Sequence, residues 1–124
     1  MIIEYEDYVS FETAKLLKDK GFSLPSTNFE DWVFCMYDEN GDIQWGCYHP
    51  DYYCRVTLQM AMKWLREVHH IHIGINPISE KGYNAIIYDV ADFDDYGIIS
   101  DTESFFHVEE ACEAAIMYCL ENLI

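Results

Sequence analysis

Apolar positions along this chain recur at helical spacing in three stretches and at strand spacing in four others. The changes of period mark the predicted elements. Ser10 reads as a helix N-cap, with Glu12 in the first turn and Val9 placed to staple onto Ala14. The helix from Phe11 to Asp19 then buries Phe11, Ala14 and Leu17, and Gly21 ends it. Residues before it, with Tyr5, Tyr8 and Val9 among acids, form a short strand or a loose lead. Phe22 to Asp31 has the Pro, Ser, Thr and Asn content of a loop. Trp32 to Tyr37 and Ile43 to Tyr48 are aromatic and β-branched runs around Asn40-Gly41, a pair that tolerates the positive φ of a type I′ turn. A two-residue loop sets Phe34 and Met36 opposite Cys47 and Trp45, but it also faces Glu39 with Asp42. A five-residue loop relieves that repulsion.

The strongest periodicity lies between Thr57 and Ile75. Thr57 is the expected N-cap, and Leu58, Ala61, Met62, Leu65 and Val68 form one stripe widened by Met60 and Trp64. From His70 the period becomes two. Ile71, Ile73 and Ile75 point one way, His70, His72, Gly74 and Asn76 the other. After a turn at Pro77 to Gly82, Tyr83 to Val90 makes a second strand. Ala91 to Glu103 reads as an acidic loop, and Val108 to Leu123 as a last helix with Ala111, Cys112, Ala115, Ile116, Cys119 and Leu120 inward. The order is α-β-β-α-β-β-α. The expectation is a single α+β domain spanning residues 1–124, a two-layer fold with a four-stranded, mostly antiparallel sheet and helices on one face.

Charge narrows the function classes. The 124 residues hold 23 acidic and 7 basic side chains, a formal net charge of −16. Such a surface repels phosphate backbones and anionic headgroups, so neither direct nucleic-acid binding nor membrane binding is expected. It suits a basic protein partner. An odd number of cysteines in core-like segments implies free thiols and a reducing compartment. MIIEYEDYVS lacks the pattern of a signal peptide, and no apolar run approaches the ~20 residues of a membrane span. A cytoplasmic location is the resulting expectation.

Three groups carry candidate chemistry. His70 and His72, as an H-x-H pair on a strand, would place two imidazoles on one face roughly 7 Å apart, suited to zinc if a third ligand arrives. The bland reading is two histidines on the solvent face of a sheet. Cys47, His49 and Cys54 supply thiolate and imidazole, although their spacing matches no common structural zinc site. Asp92, Asp94, Gly97, Ile99 and Glu103 fall in the register of a calcium-binding loop, where oxygens, a sharp Gly turn and a bidentate Glu are required. Tyr96 stands where a further oxygen belongs, and a strand rather than a helix precedes it. The alternative is a solvated acidic loop. No G-x-S-x-G or glycine-rich phosphate loop occurs, so catalysis is not expected, nor is a cofactor.

SFETAKLLKDKGF, TLQMAMKWLREVHHIHI and EEACEAAIMYCLENLI, near the start, centre and end, resemble three blocks in a family of small uncharacterised proteins encoded by gut anaerobes, their phages and integrated elements. KWLRE followed by the alternating strand is the most specific part. Family members often open the central helix after a Pro-Thr pair, where this chain has Val56-Thr57. The resemblance implies an accessory role in a phage or mobile element and adds no activity or catalytic residue. Together these readings point to a non-enzymatic acidic protein that binds a protein partner, with imitation of nucleic-acid charge as a sharper form. The alternative is a small protein binding zinc or calcium.

Overall fold

A computed structural model describes residues 7–22, 34–46, 49–80, 82–90 and 97–124. Its first helix, α1 (Phe11–Asp19), begins at Ser10, whose side chain accepts the Thr13 amide. It ends in a Schellman arrangement: Phe22 N–H donates to Leu17 O and Gly21 N–H to Lys18 O. Gly21 supplies the positive φ of 92° that this ending needs.

The first hairpin joins β1 (Phe34–Tyr37) to β2 (Ile43–Gly46), with Tyr37 opposite Ile43 and Cys35 opposite Trp45. Its loop is the five residues Asp38 to Asp42, the form that avoids setting Glu39 against Asp42. Asp38 N–H donates to Asp42 O, Gly41 N–H donates back to Asp38 O, and Gly41 alone takes a positive φ, 87°. The Asp38 carboxylate stabilises this form by accepting the Asn40 and Asp42 amides and the Gln44 side chain. Its pKa is lowered, chiefly by the Gln44 bond. The register therefore shifts by one residue, and Met36 faces Gln44 instead of Trp45.

The expected four-stranded sheet does not form. Two three-stranded antiparallel sheets stand in its place, ordered β2-β1-β3 and β4-β5-β6. The third strand of the first is β3 (Tyr53–Cys54), drawn from the connection after the hairpin. The second sheet comprises β4 (Ile71–Ser79), β5 (Gly82–Asp89) and β6 (Gly97–Asp101). β6 lies in the stretch expected to be an acidic loop. Each hairpin satisfies its free inner edge with a local segment, so the two hairpins have no need to join.

After the first sheet in the chain comes α2 (Leu58–His69), capped by Thr57 and packed on β4 and α3. Leu58, Ala61 and Leu65 are buried as the stripe predicts, but Val68 is 55% exposed. At about 100° per residue, His69 lies about 20° from Leu58 and Val68 about 80° away. His69 accordingly turns inward, 4.7 Å from the Trp64 ring, with its Nε2 buried and unpaired.

The last helix, α3 (Val108–Asn122), packs on β5, β4, α2 and α1. Ala111, Ala115, Ile116, Cys119 and Leu120 have no exposed surface, and they meet Leu17, Leu65, Ile73 and Ile87 in one hydrophobic cluster. Each buried Leu or Ile in it contributes roughly 1.5–3 kcal/mol through removal from water. Asp7 to Val9 run antiparallel to Val56 to Leu58, through Val9 N–H to Val56 O and Leu58 N–H to Asp7 O. That pairing ties the start of α1 to the start of α2.

Candidate functional site

The histidine pair is not a strand pair. β4 starts at Ile71, and His70 is the left-handed C-cap of α2, with φ 58° and its N–H on Leu65 O. The break from helix to strand thus falls at His70 itself, and the two imidazoles do not project from one strand face. His72 is half-buried beside Tyr88, ring centroids 6.0 Å apart.

Cys47 lies outside the described residues. His49 stacks on Tyr52 at 4.1 Å and accepts the Asp51 amide at Nδ1. Burial pushes the Cys54 thiol up, against a smaller opposite effect of Lys18. Asp92 and Asp94 also lie outside the described residues, whereas Glu103 is exposed just past β6. Gly97, placed to make the sharp turn of a calcium loop, opens β6 and pairs with Asp89. Ile99 belongs to the same strand. Among the described residues, no three His, Cys, Asp or Glu side chains come together as a metal-holding group.

The thiols of α3 sit in the core. Burial holds Cys112 up to about 11 and Cys119 up to about 12. A cavity of about 150 Å³ reaches Cys112 from Asp7, Gln59 and Glu109, and no histidine lines it.

Charge on the surface is partitioned along the chain. Every lysine and arginine precedes Gly82, and Gly82 to Ile124 holds ten acidic residues and no lysine or arginine. Several of the earlier cations are committed to structural contacts. Lys15 pairs with Glu12 at 3.3 Å and lies over the Phe11 ring. Lys18 donates to the carbonyls of Pro50 and Tyr52, and Lys20 to that of Ile124. Arg55 stacks 4.0 Å over Tyr8 and donates to Cys35 Sγ at 3.4 Å. These contacts help fix α1 and β3 in place, with Lys20 reaching the chain end beyond α3, while β5, β6 and α3 contribute no lysine or arginine of their own.

Within that half, β6 forms one margin of its sheet. Pairing with β5 continues past the strand proper. Thr102 N–H donates to Ala85 O, and Phe105 and Tyr83 exchange both backbone bonds at 2.7 and 2.8 Å. The close approach depends on Gly82, where a Cβ would meet Phe105 O at 2.9 Å. Ile87 pairs with Ser100 and Tyr88 with Ile98, so Ile99 is the extra residue of a β-bulge. Ile98 is 65% exposed, Ile99 40% and Phe106 70%. Asp101 and Glu103 stand exposed between them. The arrangement is an acidic centre flanked by apolar ends. A second apolar patch, Ile43 and Trp45 on β2, lies on the other sheet. Sequence reasoning missed the β6 margin because its acids outweighed the Gly97-Ile98-Ile99 run, the one β-forming signal in that stretch.

Comparison with family models, with curated proteins and with solved structures finds no match to this chain.

Proposed function

We propose that the protein is a non-enzymatic binding protein whose acidic half engages a basic surface on a partner protein. The observation that carries this reading is the absence of any lysine or arginine from Gly82 to Ile124, the stretch that builds β5, β6 and α3. Exposed carboxylates at Asp101, Glu103, Glu110 and Glu121 have no internal cation from their own half to offset them. Such a field steers a basic partner and rejects nucleic acid. The resemblance of the three sequence blocks supports an accessory role in a phage or mobile element. The free thiols of Cys35, Cys54, Cys112 and Cys119 support a site of action in the cytoplasm. No helix among the described residues is long and apolar enough to cross a membrane.

Imitation of a nucleic-acid backbone needs carboxylates in a row. The exposed carboxylates among the described residues are spread over α1, α2, α3, the second sheet and the loops. The proposal is therefore kept to a basic protein surface, without that geometry.

The test is titration with a lysine- and arginine-rich peptide and with its glutamine counterpart at rising salt. Binding of the basic peptide alone, weakening as salt rises and in an Asp101→Lys/Glu103→Lys/Glu110→Lys variant, supports the reading. Equal binding of both peptides, or no change in the variant, overturns it.

A further inference from the structure

We propose that the β6 margin receives an added β-strand from the partner, an extended segment with basic residues at alternate positions between apolar ends. This rests on the protein-binding reading above and names how the partner is held. No strand among the described residues pairs with the outer side of β6. In an antiparallel sheet, alternate N–H and C=O groups of a marginal strand face outward and offer a template for another chain. Proteins commonly blunt such margins with lysine, proline, other charges or a β-bulge. Gly97 to Phe106 contains no lysine or proline and exposes Ile98, Ile99 and Phe106, so its acidic side chains and the bulge at Ile99 leave a basic strand as the occupant it does not repel.

The charge pattern selects the occupant. Asp101 and Glu103 are two residues apart, the spacing that puts side chains on one side of an extended chain. An incoming strand with Lys or Arg at matching alternate positions pairs with both. A second copy of this chain fits poorly. Antiparallel self-pairing about this centre brings Asp101 and Glu103 against their own counterparts, and each copy adds a half without cations. Regular pairing is confined to the chain between the bulge at Ile99 and a second one-residue slip, where Ala85 meets Thr102 but Tyr83 meets Phe105. The added strand is thus centred on Asp101 and Thr102 and reaches toward Ile98, Ile99 and Phe106 with its apolar ends. Main-chain bonds supply affinity, and the two carboxylates set register.

The experiment uses a synthetic peptide alternating lysine with valine, and the same peptide N-methylated on alternate backbone amides, which keeps its charge but cannot pair as a strand. Hydrogen exchange is followed on the full chain. The expected result with the parent peptide is new protection of the Asp101 amide, which faces away from β5, while the Thr102 and Phe105 amides are already bonded to that strand. The methylated peptide and an Asp101→Lys/Glu103→Lys variant should each lower affinity about tenfold or more. If the methylated peptide binds as tightly as its parent, strand addition is overturned while the acidic binding reading stands. If neither peptide binds, both fail. If the protein alone sediments as a dimer with the Asp101 amide already protected, the occupant is a second copy and the basic-strand proposal is overturned.

Discussion

The Thr13 hydroxyl donates to Glu113 Oε1 at 2.5 Å, joining the first turn of α1 to the middle of α3. The same oxygen accepts the Ser10 amide at 3.0 Å, so one carboxylate closes the N-terminus of α1 from a distant helix. Thr13 is fully buried and its hydroxyl has no water to turn to. Glu113→Ala should lower stability in urea by about 0.5–1.5 kcal/mol, because the Thr13 hydroxyl and the Ser10 amide lose their shared acceptor and the hydroxyl keeps only Ser10 Oγ, at 3.1 Å. Glu113→Gln keeps an acceptor and should cost less. An alanine variant as stable as the parent would show that α1 is held by its apolar face alone.

The pairing of the Phe105 segment with β5 should depend on Gly82. A Cβ there meets the Phe105 carbonyl oxygen, which is backbone and cannot swing away. Gly82→Ala should destabilise by about 1–3 kcal/mol and speed amide exchange at Phe105. Gly97→Ala is the control. Nothing lies within 4 Å of its would-be Cβ, and its cost should stay within about 0.5 kcal/mol. Equal effects of the two would contradict the close contact.

Alkaline pH should unfold the protein through its core thiols. The folded Cys119 is held at about 12 and Cys112 at about 11, both above the ordinary 9.0, because burial penalises the thiolate. A raised folded pKa means that stability is fully present below pH 9.0 and is lost as pH climbs toward about 12. The urea midpoint should fall across that window, and Cys119→Ala should flatten the fall. At neutral pH, iodoacetamide should modify half-exposed Cys35 and Cys54 before Cys112 and Cys119, read by mass spectrometry of the folded chain.

Calcium should leave the melting temperature unchanged. Gly97–Asp101 spends its backbone on pairing with β5, and Gly97 takes no positive φ, so this part of the expected loop cannot wrap around an ion. A site filled at 100 times its dissociation constant would add about 2.7 kcal/mol. A rise of several degrees with calcium would mean that β6 detaches to bind it.

Elements whose hydrogen bonds close locally are legible in the amino-acid sequence. Ser10 and Thr57 cap α1 and α2 as their side-chain chemistry predicts, and Gly21 ends α1 by supplying a positive φ. The α3 stripe is readable because a helix facing the core on one side must repeat its apolar positions. Candidate sites are less legible. His70 carries the residue type of a ligand, but its backbone is used to change helix into strand, which composition does not record. The β6 margin is hidden because a strand of five residues depends on its neighbour β5 more than on its own propensity.

By itself, the sequence determined the α+β class, the three helices with the N-caps of α1 and α2, the β4–β5 hairpin and the concentration of negative charge after Lys81. These follow from period, local hydrogen bonding and residue type. Only the tertiary structure decided that two sheets form rather than one and that Glu113 closes α1. It also decided that β6 lies at a sheet margin with Asp101 and Glu103 set between exposed apolar side chains. The physical reason is common to all of these. Each depends on which distant backbone or side chain satisfies a free donor or acceptor, and that choice is made by packing of the whole chain.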